Sequence, residues 1–293
     1  MKSLLHVPTL CLLLILQHTS VYAADFTATP GTDERSPAPY TFAVVPYYSP
    51  EKIWSLFTPF VDYISKSTGQ SWRLQLYHNY DQFVEDICNG RISLGFTGPL
   101  PLNKAHEKCG AEPLLVALAK NGQPVYHSFL VTNDTTIKHV SQLKAKKVGF
   151  LKGSSAAQFM PVKMLKKAGV ELSDIQPVFL QSQNRIMSAL LSGEVVAGGM
   201  KETLYQKFEK ENLLVLAISD PMPNFALCVL PSFSARQREL LTSVLLKLRP
   251  LANRRDAIAV KEWDDEIKHG FVLPSADFTA SIRRIATVEG PRK

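Results

Sequence analysis

The sequence lacks metal-ligand patterns. Its seven His and four Cys are dispersed, and none pairs with another or with a carboxylate at ligand spacing, so neither a structural nor a catalytic metal is expected. No basic stripe and no nucleic-acid reading motif is present, and a nucleic-acid partner is not expected despite 33 Lys and Arg against 26 Asp and Glu. No sequence repeat relates one half of the chain to the other. The one Leu-rich run, Leu10 to Leu16, is too short to span a bilayer. Nothing in the pattern calls for a cofactor.

What is present begins with that short run. Met1 to Ala23 carries Lys2 as its only charge, the Leu-rich core and then Val21-Tyr22-Ala23. This reads as a secretory signal (1–23) cleaved near Ala23, giving an exported chain. Cys11 lies too early to be a lipoprotein anchor. Removing 23 of the 293 residues leaves 270, enough for two lobes of ordinary size. The remaining 32 basic and 26 acidic residues give a modest positive excess. Such an excess suits an anionic ligand or simple solubility, and it does not choose between them. Cys88 and Cys109 enclose 20 residues and form the candidate disulfide in an oxidising compartment. Cys228 sits in an apolar run and reads as a buried free thiol.

Residues 24–39 are polar, rich in Pro, Thr and Gly, and read as a flexible leader. Folding starts at the apolar strand Tyr40 to Val45, followed by Pro46-Tyr47-Tyr48 and a helix with Ile53, Phe57, Phe60, Val61 and Ile64 on one face. Trp72 to Tyr77 is a second strand, Asn79-Tyr80-Asp81 opens a second helix, and Ile92 to Thr97 is a third strand ended by Gly98-Pro99. Strands alternating with helices at this spacing predict right-handed crossovers in a mostly parallel sheet, with ligand at the carboxyl ends of the strands. Tyr47, Tyr80 and Thr97 lie at three such ends. A second set of alternating strands and helices runs from about 126 to 216, with strands at Pro124–Val131, Val148–Leu151, Pro177–Leu180 and Val195–Met200. Two extended segments, near Gln123–Phe129 and Ser219–Cys228, are the expected crossings between lobes and form a hinge. The helix Ala235–Leu248 is expected to return to the first lobe, and Trp263 and Phe271 to anchor the charged tail. The expected organisation is α/β and two-lobed. Lobe 1 spans 40–125 and returns over 219–293 with the tail, and lobe 2 spans 126–218.

The stretch on which the chain is organised is 148–161. Val148 to Leu151 is a strand, Gly153-Ser154-Ser155 turns it, and a helix with Phe159, Val162 and Leu165 on one face follows. The first turn of a helix presents unpartnered N–H groups and the positive end of the dipole. Two hydroxyls placed there suit an oxyanion at Ser154 and Ser155. The same residues also suit a simple N-cap at Ser154. A third reading is a degenerate nucleophile elbow with Ser155 attacking an ester. It would need His269 as base and Asp220 or Asp264 as its orienting carboxylate.

Together, several segments resemble the PhnD-like periplasmic substrate-binding proteins of phosphonate, phosphite and phosphate ABC transporters, over about residues 40 to 275. The matching segments are Asn79-Tyr80, Gly95 to Pro99, Tyr126-His127-Ser128, Gly153-Ser154-Ser155 with Pro161, Ser192 to Val195, and Ser219 to Asn224. The resemblance implies a type II periplasmic binding protein fold, with two sheets flanked by helices and a two-segment hinge. It implies capture of a small phosphorus oxyanion between the lobes and delivery to an ABC permease, with no catalysis. It also implies a periplasmic location. A monomer is expected.

Carried over by position, the resemblance makes Ser154 and Ser155 oxygen ligands, makes Tyr80 the partner from the first lobe, and lines the cleft with Thr97 and Tyr126. Gln183 stands where aminoalkylphosphonate binders have a His, and Lys201 follows at the end of the next strand. Ala156 and Ala157 stand where the family turn commonly has a third hydroxyl and a Gly. No acidic partner for an amine is evident apart from Glu202, so an unsubstituted phosphonate or small oxyanion is expected. An extracytoplasmic sensor for a signalling kinase would use the same fold and ligand.

Overall fold

The computed structural model describes residues 38–287. The secretory signal, its cleavage site and nearly all of the leader fall outside the described residues. In chain order the elements are β1 (Tyr40–Val44), α1 (Pro50–Thr68), β2 (Trp72–Gln75), α2 (Tyr80–Cys88), β3 (Leu94–Thr97), α3 (Pro99–Cys109), β4 (Glu112–Ala117), β5 (Val125–Tyr126), β6 (Ser128–Thr132) and β7 (Lys147–Phe150). There follow α4 (Met160–Lys167), β8 (Gln176–Phe179), α5 (Gln183–Leu191), β9 (Ala197–Lys201), α6 (Glu202–Lys207) and β10 (Leu214–Ile218). The chain finishes with β11 (Met222–Pro223), β12 (Ala226–Val229), α7 (Ala235–Lys247), α8 (Arg254–Ala259), β13 (Phe271–Val272) and α9 (Phe278–Thr287).

Two sheets carry the fold. The first has six strands in the order β13-β4-β12-β3-β1-β2, and the second has five in the order β10-β6-β9-β7-β8. The parallel pairs lie at one side of each sheet: β1 with β2 and β3, and β7 with β8 and β9. The others, including β12 with β3 and β4 and β6 with β9, are antiparallel. Both sheets are therefore mixed, because β6 and β12, the strands that follow each crossing, enter their sheets against the direction of their neighbours. The crossings themselves, β5 and β11, pair with each other as a two-residue antiparallel ribbon, Met222 opposite Tyr126.

Among the elements that the sequence pattern does not show are α3 and β4. Pro99 opens α3 and Pro101 lies in its first turn, positions whose N–H groups need no intrahelical partner. The pattern of two prolines after a strand mimics a loop. α3 ends in Cys109, which is bonded to Cys88 at the end of α2, and a cross-link closing a loop of this length stabilises by roughly 3 kcal/mol. Cys228 is buried and free in β12, and burial pushes its thiol up to about 12. α7 packs against α1, and Trp263 meets Phe60 and Tyr63 edge-on at 5.1 and 5.2 Å.

The stretch after β7 departs from a simple helix. Gly153 has φ +83, a conformation open to glycine. Ser154 then caps a single π-helical turn, Ser155–Phe159, that leads into α4. The π turn accommodates Pro161. The carbonyl four residues before it, of Ala157, accepts instead from the Leu151 N–H at 3.1 Å. The Ala156 carbonyl accepts from Ser128 Oγ at 2.6 Å. Both acceptors that a proline would orphan are thus satisfied. The Pro161 ring lies on β9 where a Cβ on Gly199 would sit 2.3 Å from Pro161 Cγ. Gly199→Ala should therefore cost 1–3 kcal/mol or more by overpacking. Adding Pro161→Ala should return at least about 1 kcal/mol of that loss in a double-mutant cycle. Strict additivity in chemical denaturation would show that the two residues do not oppose each other.

Candidate ligand-binding site

The two sheets meet along a buried seam, and seven of the eight side chains singled out from the sequence make contacts there, Thr97 being buried inside the first sheet with its hydroxyl on its neighbour Gly98. Thr97 is fully buried and Tyr80, the most accessible of them, is 7% exposed. Two helix starts converge there. From the second sheet, Ser154 Oγ accepts the Ala157 N–H at 3.1 Å and so acts as the N-cap. From the first sheet, the Leu100 N–H at the start of α3 donates to Ser155 Oγ at 3.0 Å. The N–H groups of both segments therefore point into one region, where their dipoles favour negative charge. Tyr80, at the start of α2, packs directly on Gly153, where a Cβ would lie 2.9 Å from Tyr80 Cβ. Its hydroxyl neighbours Ser154, and burial raises its pKa. Thr97 ends β3, opposite Ala226 of β12.

Tyr126 joins this anion-suited half to a second, charged half. Its hydroxyl is directed at Ser155, and burial holds its pKa well above the ordinary tyrosine value. No described residue completes a hydrogen bond with that hydroxyl. The face of the same ring lies 4.2 Å from Lys201 Nζ, and the Phe225 ring lies 4.0 Å from it on another side. Lys201 is 2% exposed. Its ammonium donates to Glu266 and to Asn224 Oδ1, the latter at 2.8 Å. Burial lowers its pKa and the Glu266 carboxylate opposes that shift. The pair is internally neutralised. Removing either partner of such a buried pair strands the other charge, at a cost of about 3–5 kcal/mol.

Gln183 and Tyr47 are committed to the scaffold. The Gln183 side-chain carbonyl accepts the Lys201 backbone N–H at 2.9 Å, and the Gln183 backbone N–H donates to the Tyr47 carbonyl at 3.1 Å. The Tyr47 hydroxyl donates to Asp264 Oδ1 at 2.8 Å. Glu266, 3% exposed, is not singled out by the sequence, and Asp264, 1% exposed, is singled out only as an orienting carboxylate for the hydrolase reading. They sit in a charged tail whose local pattern looks solvated, and only the chain's return to the seam buries them. The acidic partner for an ammonium is therefore Glu266. Glu202, the sequence candidate, instead accepts from the His127 N–H and ring at 3.1 Å.

The hydrolase arrangement is not assembled. Ser155 Oγ is engaged by Leu100, Asp264 by Tyr47, and His269 lines a separate 250 Å³ cavity with Pro250, Val260 and Lys268. Two larger cavities flank the seam. One of 360 Å³ is lined by Tyr126, Lys201, Thr203, Asn224 and Glu266. The other, of 580 Å³, is lined by Asn79, Tyr80, Lys104, Lys152 and Gly153. Among the described residues no group of three or more His, Cys, Asp or Glu is placed to hold a metal ion.

Asp264 gives the seam a pH dependence. Oδ1 accepts from Tyr47 and from the Glu266 N–H, whereas Oδ2 has no partner among the described residues. Burial first, and the Glu266 charge second, push its carboxyl up to about 6. A folded-state value above that of the unfolded chain means that this group's contribution is complete below about pH 4 and is lost as pH rises through 6. Asp264→Asn keeps both Oδ1 contacts without the charge. The variant should gain on the wild type by roughly 3 kcal/mol between pH 4 and pH 8, measured by denaturant unfolding. A stability difference that stays flat over that range would show that Asp264 is not held protonated by its surroundings.

Known proteins with the same architecture bring the seam into a family context. A family model described as "ABC transporter, phosphonate, periplasmic substrate-binding protein" matches residues 42–277. An aliphatic sulfonates-binding protein of Escherichia coli (strain K12) is 33% identical over 124 residues, 42% of this chain and 38% of that protein. The phosphonates-binding periplasmic protein of the same organism is 21% identical over 133 residues, 45% of this chain and 39% of that protein. The chain thus aligns with about two fifths of the length of these two relatives. Among solved structures, PhnD1 from Prochlorococcus marinus (MIT 9301) in complex with methylphosphonate superposes with a TM-score of 0.74 at 17% identity. That superposition covers 85% of this chain and 97% of the other, and it shows the two-lobed type II periplasmic binding protein fold. The chain belongs to the family of periplasmic substrate-binding proteins of phosphonate ABC transporters.

Proposed function

We propose that the protein captures a small phosphorus oxyanion, a phosphonate, phosphite or phosphate, at the seam between its lobes. It works in the periplasm, as a monomer, and hands the closed form to the permease of an ABC importer. The observation that carries this reading is the Tyr126 hydroxyl, 1% exposed, directed at Ser155 and without a hydrogen-bonding partner among the described residues. Buried polar groups of this kind are rarely left unmade. Beside it stand the hydroxyls of Ser154, Ser155 and Tyr80 and the start of α3. These donors are neutral, and the cation beyond Tyr126, Lys201, is matched by Glu266. The anion is held by hydrogen bonds and helix dipoles, with the family membership supporting the phosphorus head group.

The role of each residue follows from its place. Ser154 and Ser155 bind oxygens from the second lobe, Tyr80 and Tyr126 close over them, and Thr97 forms the wall. Tyr47, Gln183 and Lys201 hold the lobes in register around the ligand. Capture is a hinge closure around the β5–β11 ribbon, in which the ligand favours the closed form by binding it more tightly. The 33% identity to a sulfonate-binding relative favours a second reading, an alkylsulfonate with the same three-oxygen head.

Calorimetric titration with phosphite, methylphosphonate, phosphate, sulfate and ethanesulfonate separates the two. Tight binding of one phosphorus oxyanion is expected, weakened about ten- to a hundredfold in Ser155→Ala and in Tyr126→Phe, since a hydrogen bond to a charged group contributes about 1.5–3 kcal/mol. Preference for ethanesulfonate would replace the ligand class, and silence across the panel would end the oxyanion reading.

A further inference from the structure

We infer that Lys201 is a tethered ammonium filling a cation cage, and that by occupying it the side chain restricts the protein to oxyanions without an amine. The specificity half of this inference rests on the oxyanion reading above, whereas the cage does not.

The cage is built by segments other than the strand that carries Lys201. Glu266 comes from the loop before β13, Asn224 and Phe225 from the second crossing, and Tyr126 from the first. An acid, an amide oxygen and two aromatic faces around one nitrogen are the elements that recognise a primary ammonium. They are also oriented independently of Lys201. Glu266 Oε1 accepts from Thr203 Oγ1. Asn224 Nδ2 donates to the Ala117 carbonyl at 3.0 Å, and Asn224 Oδ1 accepts the Phe225 N–H at 2.9 Å. Phe225 is seated over Gly98, where a Cβ would lie 2.7 Å from its ring. The Lys201 backbone is fixed from the opposite side by Gln183. The lysine therefore enters a receptor whose other walls stand without it.

Tyr126 is shared between this cage and the oxyanion donors, its ring face on Lys201 and its hydroxyl toward Ser155. A ligand bound through its oxyanion and carrying an amine on a short chain would direct that amine at a site already filled by positive charge. It would find Glu266 taken and a like charge one ring away, an arrangement that rejects amines by repulsion and by withholding the acid. An unsubstituted ligand meets neither penalty. The 360 Å³ cavity beside the cage gives a freed cage a route to solvent.

Shortening Lys201 tests both halves. Lys201→Ala should melt at a higher temperature in methylammonium chloride than in equal sodium chloride, whereas the wild type and Lys201→Ala/Glu266→Gln should respond alike to the two salts. In calorimetry the wild type should favour methylphosphonate over 2-aminoethylphosphonate. Lys201→Ala should shift that ratio toward the amine by tenfold or more, and the double variant should lose the shift. Equal response of Lys201→Ala to both salts overturns the cage, as does failure of both variants to fold in either salt. A methylammonium response without binding of either phosphonate by any form leaves the cage standing and removes the oxyanion reading. Phosphonate binding whose ratio is unmoved in Lys201→Ala overturns the specificity role.

Discussion

A full positive charge with 2% exposure is the constraint around which the seam is arranged. Desolvating an ammonium is costly unless a counter-charge and further acceptors meet it, and no single element of this chain supplies them. Lys201 ends β9 in one sheet, and its partners arrive from both crossings and from the tail. Satisfying one ion thus requires that four distant segments be in place together. The same requirement explains why Asn224 and Thr203 spend their own polar atoms on the cage and not on solvent.

On the other side of Tyr126 the chemistry is of a different kind, built on hydroxyl and backbone donors. Ser154 and Ser155 sit on a turn whose shape comes from two unusual neighbours, Gly153 with positive φ and Pro161 with no N–H. The proline forces a π turn, the π turn frees the carbonyls of Ala156 and Ala157, and Ser128 and Leu151 take them up. Ala156 and Ala157 are fully packed and contribute through their backbone. The donors facing the first lobe are therefore set by main-chain geometry as much as by side-chain identity.

Much of this was legible from local pattern. The strands β1, β3, β7 and β9, the helices with a clear apolar face, and the turn at Gly153 all announce themselves by period and punctuation. α3 was hidden by Pro99 and Pro101, and β4 by its position between a helix and a Gly-containing turn. Pro161 stands inside a helical pattern, and the partners that take up the carbonyls beside it, Leu151 and Ser128, are distant enough to leave no mark in the local sequence. The least legible part was the acidic half of the seam. Asp264 and Glu266 stand in a run with Asp265 and Lys268 that reads as a solvated surface, and only long-range packing through Trp263 and Phe271 turns two of these side chains inward. Gln183 and Lys201 were found by position, but their partners could not be, because hydrogen bonds between residues far apart in the chain leave no trace in spacing.

The cross-link between Cys88 and Cys109 lies one helix length from Tyr80 and from Leu100. α2 and α3 both begin at the seam, one with Tyr80 and the other with the Leu100 N–H, and both end at this bond with their Cα atoms 5.4 Å apart. The two helices are therefore legs of a single compass, joined at the pivot, whose points are the two contacts that the first lobe makes to the serine turn. The cross-link thereby ties the two helix starts to each other, so that neither shifts against the serine turn independently of the far ends.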